Sequence, residues 1–409
     1  MKCLLKDGHI VCNNQGFDQV GNIYLENGRI QSISFDGSSS VLDEETEIID
    51  CKGKYIFPGL IDLSSFCGAL GLSHREDFTS LSQAALAGGY TDIVLGPWGS
   101  PPVENAAVVT DLRARSSREP IRYHLLGTVV TGAMNQDLAE MGLMKEAGAM
   151  GFSDAKQPIA STIVLRNILQ YAARLDLPVF LYPGDPDLDR EGVMHEGMIS
   201  TQIGLRGISI ASEEIAVSRI VALAKDTKAK ICILPVSTPP NIDLPSNVLV
   251  ATPARSLLLS DASIQENLYD PNLHLRPPLR DHPERIKEAV RSGEIPIVFA
   301  DHTPLTRVEK ELEFALSEPG AIGLETALSA SFTALSSIPI VLERMVYEPA
   351  RFLGIKKGLQ VGANSDIVIF DPLEQWCPKY PFHSKGINEP LSGISLKGKV
   401  SQTYFSRNS

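Results

Sequence analysis

The middle of the chain alternates short apolar runs with segments whose apolar residues recur at helical spacing. Eight runs are strand candidates, around 55–62, 91–96, 122–130, 150–153, 178–182, 230–236, 248–252 and 295–301. The helical pattern occupies several of the gaps, at 76–86, 138–147, 163–175, 213–224 and 322–335. Strands that alternate with helices form parallel sheets through crossover connections. The pattern predicts an α/β fold with a (β/α)8 TIM-type barrel, and an open doubly wound sheet is the alternative that the same alternation permits.

Both ends of the chain carry strand signals instead. Residues 21–30 have the pattern of two strands joined by Asn27-Gly28, a dipeptide that favours hairpin turns because both residues tolerate positive φ. Residues 366–370 form a short apolar run that is typical of a buried strand. We therefore predict a small β-sandwich domain built from residues 1–53 and 355–409, and a barrel domain built from residues 54–354.

The charge of the chain restricts its partners. Its 49 acidic residues exceed its 37 Lys and Arg residues, which gives a net charge of −12. Binding to nucleic acid or to an anionic membrane needs a basic surface, so neither is expected. No apolar run reaches the roughly 18–20 residues of a membrane-spanning helix, and charge comes too early at the N-terminus for a secretory signal. We expect a cytoplasmic protein.

The cysteines agree with that location. Six cysteines are scattered singly, with no paired spacing. This usage is typical of reduced, mostly buried thiols.

Chemistry in a barrel of this kind lies at the carboxyl ends of the strands. Several strand ends and the loops near them carry short distinctive motifs. In chain order these are Pro58-Gly59-Leu60-Ile61-Asp62, Glu76-Asp77-Phe78, Gly151-Phe152-Ser153-Asp154, Glu196-Gly197, Val236-Ser237-Thr238, Pro277-Pro278-Leu279-Arg280 and Asp301-His302-Thr303-Pro304. In this order and spacing, the chain resembles the dihydroorotase–allantoinase group of cyclic amidohydrolases, and most of all the longer bacterial dihydroorotases of pyrimidine biosynthesis. The resemblance covers nearly the whole length.

The resemblance implies a zinc site that this chain does not retain. Members of the group hydrolyse a cyclic amide with one or two divalent metals, held by a His-x-His pair after strand one, by histidines at strands five and six, and by an aspartate at strand eight. A carboxylated lysine or an aspartate near strand four can bridge the two metals. The corresponding positions here are Ser64, Phe66, Tyr182, Pro235, Asp154 and Asp301. Only the two aspartates remain, and two carboxylates do not make the three-ligand site of a catalytic zinc. None of the eight histidines has a ligand-pair spacing. We therefore expect no metal and no other cofactor.

The substrate-binding positions that the resemblance implies are also altered. The arginine after the His-x-His pair is Gly68, and the asparagine after strand two is Trp98. The asparagine before Pro-Pro-Leu-Arg is Arg276, and the histidine after the strand-eight aspartate is Leu305. Asp301, the metal ligand and general base of the group, would then be a vestigial catalytic residue. It could be kept because its carboxylate shapes a loop by accepting backbone N–H bonds.

Three hypotheses follow. The first is a dihydroorotase-like protein without catalysis, with a structural or regulatory role. The resemblance suggests aspartate carbamoyltransferase as its partner, and we expect a homo-oligomer. The second is an active cyclic amidohydrolase with an atypical site. The third is a small-molecule binding module, since Trp98 and Tyr182 could either fill the space of the lost site or form an aromatic pocket for a new ligand.

Overall fold

The computed structural model describes residues 2–35, 45–131 and 137–406. Its central sheet consists of eight parallel strands in chain order, each hydrogen-bonded to the next. A bridge between Ser65 and His302 brings the end of the first strand beside the loop after the eighth. The predicted α/β barrel is therefore confirmed. Its strands one to eight are Leu60–Ser65, Tyr90–Leu95, Arg122–Thr128, Gly151–Ser153, Val179–Leu181, Ile231–Ile233, Val248–Pro253 and Ile297–Phe299.

The first strand candidate, around 55–62, was wrong as a single barrel strand. Tyr55–Pro58 pairs with Ile367–Trp376 and with Lys2–Cys12, in the sheet built from the chain ends. Barrel strand one begins at Leu60. The chain changes sheets at Gly59, where a Cβ atom would collide with the side chain of Thr91. A continuous apolar run does not reveal such a change, because both halves of it are buried strands.

The second sheet has seven strands and unites the two ends of the chain. The predicted hairpin is present, with Asn27 and Gly28 at φ 50° and 72° between two antiparallel strands. The seven strands are Lys2–Cys12, Phe17–Glu26, Arg29–Ser34, Glu47–Asp50, Tyr55–Pro58, Ile367–Trp376 and Leu396–Tyr404.

Most helices of the barrel domain bury one apolar face. Thr162–Leu175 begins where the Ser161 side chain caps the backbone of Val164, and it turns Leu165, Ile168 and Leu169 inward. A side chain that accepts a free N–H at the first turn stabilises a helix start by about 1 kcal/mol. The other α-helices are Phe78–Ala87, Ala106–Ser116, Met141–Ala147, Met198–Ile203, Ile210–Thr227, Ala262–Glu266, Pro283–Ser292, Arg307–Lys310, Ala327–Leu335, Ile338–Leu342 and Glu348–Leu353.

All six cysteines are free thiols, and five of them are buried. In the part of the chain that the structure describes, no helix combines the length and the apolar character needed to cross a membrane.

A buried ion cluster lies near the amino ends of strands two and three. The Asp92 carboxylate accepts two hydrogen bonds of 2.8 Å from Arg122 and lies 2.6 Å from the ammonium of Lys357. His124 approaches the same carboxylate at 2.8 Å, and Arg122 also pairs with Asp366. Burial raises the pKa of Asp92, but Lys357, Arg122 and His124 outweigh it and hold that pKa well below its usual range. The cluster joins the barrel to the segment that enters the second sheet.

We expect Lys357→Met to lower the free energy of unfolding by about 3 kcal/mol at pH 7, because it leaves a buried carboxylate short of one partner. Since the folded pKa of Asp92 is depressed, its contribution is present above the unfolded pKa of about 4 and is lost as the pH falls through the folded value. The difference in the free energy of unfolding between Lys357→Met and the native chain should therefore become smaller at acid pH. Urea unfolding at several pH values measures both effects.

The control is Lys399→Met, which removes an exposed pair with Glu374 at 3.1 Å. Such a pair contributes about 0–1 kcal/mol. Equal decreases in the free energy of unfolding in the two variants would show that the buried cluster stabilises the fold no more than an exposed ion pair does.

Candidate functional site

A pocket of about 880 Å³ opens at the carboxyl ends of the barrel strands. The structure places six of the ten predicted site positions in its wall, namely Phe66, Trp98, Asp154, Tyr182, Arg276 and Asp301. They come from distant parts of the sequence, and they meet because parallel strands deliver their carboxyl ends to one face of the barrel.

The other four predicted positions lie outside that wall. Ser64 lines a small void of about 10 Å³ beneath Trp98, which is space for one water molecule at most. Pro235 is buried two residues after the end of strand six. Gly68 packs against the backbone of Leu72, where a side chain would not fit. Leu305 is buried, and its N–H donates to Asn388 at 2.9 Å, away from the pocket.

Two cations hold the Asp301 carboxylate. The Lys156 ammonium lies 2.6 Å from Oδ1, and the Arg255 guanidinium donates to Oδ2. Burial raises the pKa of Asp301, but Lys156 and Arg255 bring it below its ordinary value. The carboxylate is therefore ionised and fully engaged, with an excess of positive charge beside it.

Trp98 and the loop after strand four aim Lys156 at this carboxylate. Ala155 and Lys156 both have positive φ, 55° and 59°, which is uncommon for residues with a Cβ atom. The Trp98 indole donates to the carbonyl of Ala155 at 3.0 Å, and the Lys156 ammonium lies 5.5 Å from the centre of the Trp98 ring. Thr303 also accepts from Lys156, at 3.4 Å. The indole thus stabilises the turn that carries the lysine.

Sequence reasoning missed Lys156 and Arg255. Arg255 follows strand seven in the short 3-10 helix Ala254–Leu257, and its side chain is almost completely buried. The sequence offered one signal for Lys156. It lies two residues after Asp154, at a strand end where the resemblance places a metal ligand.

Asp154 is committed to the backbone. Its Oδ2 accepts from the N–H of Tyr182 at 2.9 Å, and its Oδ1 accepts from the N–H of Lys156 at 3.1 Å. Burial raises the pKa of Asp154 to about 8 despite these bonds. Its two hydrogen bonds join the end of strand four to the residue after strand five and to the turn at Lys156.

The donor set does not fit a zinc ion. Phe66 and Pro235 have no side-chain donor atom, and both aspartates are engaged as described above. Across residues 2–35, 45–131 and 137–406, no group of three His, Cys, Asp or Glu side chains is arranged to hold a metal. Cys67 and Cys232 are buried, and burial raises the pKa of the Cys67 thiol to about 12.

His302, next to Asp301, has a structural role. Its Nε2 lies 3.2 Å from the Glu76 carboxylate, and its Nδ1 accepts from the N–H of Gly323 at 3.2 Å. Glu76 also accepts from Ser384 at 2.5 Å. The histidine therefore ties the loop after strand eight to the first helix region and to the C-terminal segment.

Another buried network explains why several family motifs persist. The Arg280 guanidinium donates to Ser237 at 2.9 Å and lies 3.0 Å from Nδ1 of His195. Glu213 accepts the N–H groups of Ser237 and Thr238 at 2.8 and 3.1 Å. These bonds connect Pro-Pro-Leu-Arg, Val-Ser-Thr and the strand before Glu196-Gly197 without using a pocket position. The motifs therefore stabilise the barrel whether or not the site is catalytic.

Solved structures share this architecture. An L-hydantoinase from Arthrobacter aurescens superposes with a TM-score of 0.84 at 21% identity, over 100% of this chain and 97% of that one. A D-hydantoinase from Thermus sp. gives a TM-score of 0.78 at 20% identity, over 98% and 93% of the two chains. At these identities the comparison shows that the chain shares the fold of these two proteins.

Sequence comparisons narrow this class. The family described as dihydro-orotase-like matches residues 53–239. A dihydroorotase from Pelotomaculum thermopropionicum is 34% identical and covers 97% of this chain and 96% of its own length. One from Geobacter metallireducens is 33% identical and covers 98% of both. The chain belongs to the dihydroorotase-like family of cyclic amidohydrolases, as its motifs predicted.

Proposed function

We propose that this chain is a non-catalytic member of the dihydroorotase-like family, with a structural or regulatory role in pyrimidine biosynthesis. The observation that carries the proposal is the environment of Asp301. Lys156 and Arg255 neutralise this carboxylate from within the chain, at the position where the resemblance implies a metal ligand. The four positions implied for histidine hold Ser64, Phe66, Tyr182 and Pro235.

The chemistry of the reaction supports the same proposal. Hydrolysis of a cyclic amide needs a group that polarises the carbonyl and one that generates a strong nucleophile from water, and a catalytic metal supplies both. Asp301 is a poor base here, because two cations lower its pKa. An active cyclic amidohydrolase with an atypical site would need Lys156 and Asp301 to separate and act on substrate.

The proposed partner is aspartate carbamoyltransferase. The support for this step is the resemblance to inactive chains of the group, which act as structural partners of that enzyme. A partner of this kind would need the intact barrel and no turnover, which agrees with the retained buried networks of Arg280 and Glu76. We also propose that the chain forms a homo-oligomer.

The test is co-purification. The tagged chain is expressed with the aspartate carbamoyltransferase of the same organism, captured, and analysed by size-exclusion chromatography with light scattering. We expect one complex with a fixed ratio of the two chains. The matched control is a tagged bacterial dihydroorotase in the same host. Separate elution of the two proteins at micromolar concentration, with unchanged carbamoyltransferase activity, would refute the partner proposal.

A further inference from the structure

Two neighbouring surface segments, residues 264–274 and 307–318, expose large apolar side chains. These side chains, which we call the apolar patch, are Leu268, Tyr269, Val308, Leu312 and Leu316. Leu268 is 87% exposed and Val308 is 83% exposed. Single apolar residues are ordinary on a protein surface, but a group of them bordered by polar residues is typical of a surface that binds another protein.

Buried contacts hold the two segments together. The Lys310 ammonium donates to the carbonyl of Glu318 at 2.8 Å and to the carbonyl of His274 at 3.5 Å. Nδ1 of His274 lies 3.2 Å from the Ser317 hydroxyl, and the centre of its ring is 5.3 Å from that of Phe314. Because these groups join both segments from beneath, the exposed side chains of the apolar patch are held on one part of the surface.

The backbone of the first segment is strained where it presents the patch. Leu268 and Tyr269 both have positive φ, 54° and 63°, which is uncommon for residues with bulky side chains. The N–H of Tyr269 donates to the carbonyl of Ile264 at 2.9 Å, which holds this turn. The strain brings Leu268 no burial within the chain, since its side chain points to solvent. Strained backbone of this kind concentrates at functional sites, so it supports a role for the exposed leucine outside the fold.

Acidic side chains border the apolar patch. Glu266, Glu311, Glu313 and Glu318 are exposed. Within the two segments, which the structure describes in full, Arg307 is the one exposed Lys or Arg, and it lies 4.0 Å from Glu311. A second copy that docked through the same patch would bring two acidic borders together, which is unfavourable. A partner whose apolar residues are bordered by Lys or Arg has the complementary charge.

We propose that the apolar patch is the surface through which this chain docks on a partner protein that presents apolar side chains bordered by lysine or arginine. The inference rests on the proposed function, because the partner is the carbamoyltransferase proposed there. It adds to that function the place of the contact and its chemistry. Apolar contact supplies most of the affinity, while the charges direct the encounter and make its rate depend on salt.

The test is the binding of the full chain to the aspartate carbamoyltransferase of the same organism, measured by biolayer interferometry. The double variant Leu268→Asn/Tyr269→Asn removes two apolar side chains and keeps the turn, because asparagine tolerates positive φ. We expect it to bind the carbamoyltransferase at least about tenfold more weakly than the native chain. Its melting temperature should be unchanged or higher, since backbone strain is relieved. If the two side chains only stabilised the fold, the melting temperature would fall instead.

A second variant, Glu311→Lys/Glu313→Lys, tests the charges of the border. We expect slower association with the carbamoyltransferase and a weaker dependence of that rate on salt. The matched control is Leu373→Asn, whose side chain is 81% exposed on the strand Ile367–Trp376 of the second sheet. It should bind like the native chain.

Unchanged affinity in the folded Leu268→Asn/Tyr269→Asn variant, beside a native chain that binds, would overturn the docking surface and leave the proposed function standing. If that variant does not fold, as judged by circular dichroism, Val308→Gln replaces it and should also bind more weakly. No complex with the native chain would refute the partner itself, and this inference with it. If the substitutions instead lowered the mass of the isolated chain in light scattering, the patch would bind a second copy, and the proposal would be wrong.

Discussion

Purified native chain, supplied with zinc, is expected to hydrolyse dihydroorotate and to cyclise carbamoyl aspartate no faster than buffer alone. No described group of side chains can hold the metal that polarises the carbonyl and activates water. Enzymes accelerate their reactions by factors of about 10⁶ or more, so the expected loss covers the entire catalytic effect. Assays in both directions, by absorbance and by liquid chromatography, measure it.

The host strain must lack its own dihydroorotase, because trace contamination would imitate a slow enzyme. The dihydroorotase of Pelotomaculum thermopropionicum, 34% identical, is the positive control. Turnover that co-elutes with the chain and disappears in Asp301→Asn would contradict the proposal. If that turnover survived chelation, the chain would be an amidohydrolase with an atypical, metal-free site.

The second prediction concerns the effect of Lys156 on zinc binding. A variant with His at positions 64, 66, 182 and 235 should bind zinc weakly while Lys156 remains, because the ammonium lies 2.6 Å from the Asp301 oxygen that a metal would need. Adding Lys156→Ala should tighten zinc binding about a thousandfold or more, since even two unit like charges at 4 Å cost about 4 kcal/mol at an effective dielectric constant of 20, and each 1.4 kcal/mol is tenfold. Competition with a chromophoric chelator gives both dissociation constants.

The matched control is Lys145→Ala in the same four-histidine background. Lys145 lies on the helix Met141–Ala147, donates to the carbonyl of Leu175 at 2.7 Å and does not line the pocket. It should leave zinc affinity unchanged. Circular dichroism verifies that all three variants fold. Equal zinc affinities with and without Lys156 would show that the lysine does not exclude the metal.

The barrel could be predicted from the sequence because alternating strand and helix patterns permit few architectures. The exception was the run around 55–62, where Tyr55–Pro58 and Leu60–Ser65 are both buried strands but belong to different sheets. Apolar character specifies that a strand is buried. It does not specify which sheet the strand joins, and here the change occurs at one glycine.

The position of the site was predictable for a similar reason. Strand ends converge on one face, so Phe66, Trp98, Tyr182 and Asp301 were expected near one another, and they line one pocket. Lys156 was not predictable, because its role depends on a turn with positive φ and on a long side chain that reaches a loop 145 residues away in sequence.

The sequence left open whether Trp98 and Tyr182 fill the space of the lost metal site or line a new pocket. Trp98 closes the lower part, where about 10 Å³ remains, while the upper part stays open at about 880 Å³. Residue volumes alone could not decide between the two, because the division depends on where the indole lies. The indole position is set by its hydrogen bond to Ala155.

The most direct measurement of the central claim is the zinc content of the native chain after expression in zinc-supplemented medium, determined by elemental analysis. Because Lys156 and Arg255 occupy the Asp301 carboxylate, we expect far less than one zinc per chain and the same value for Asp301→Asn. Chelator should leave the melting temperature unchanged, whereas a metal at a hundred times its dissociation constant would add about 2.7 kcal/mol. About one zinc per chain, lost in Asp301→Asn, would show that Asp301 still binds a metal and that the site is not lost.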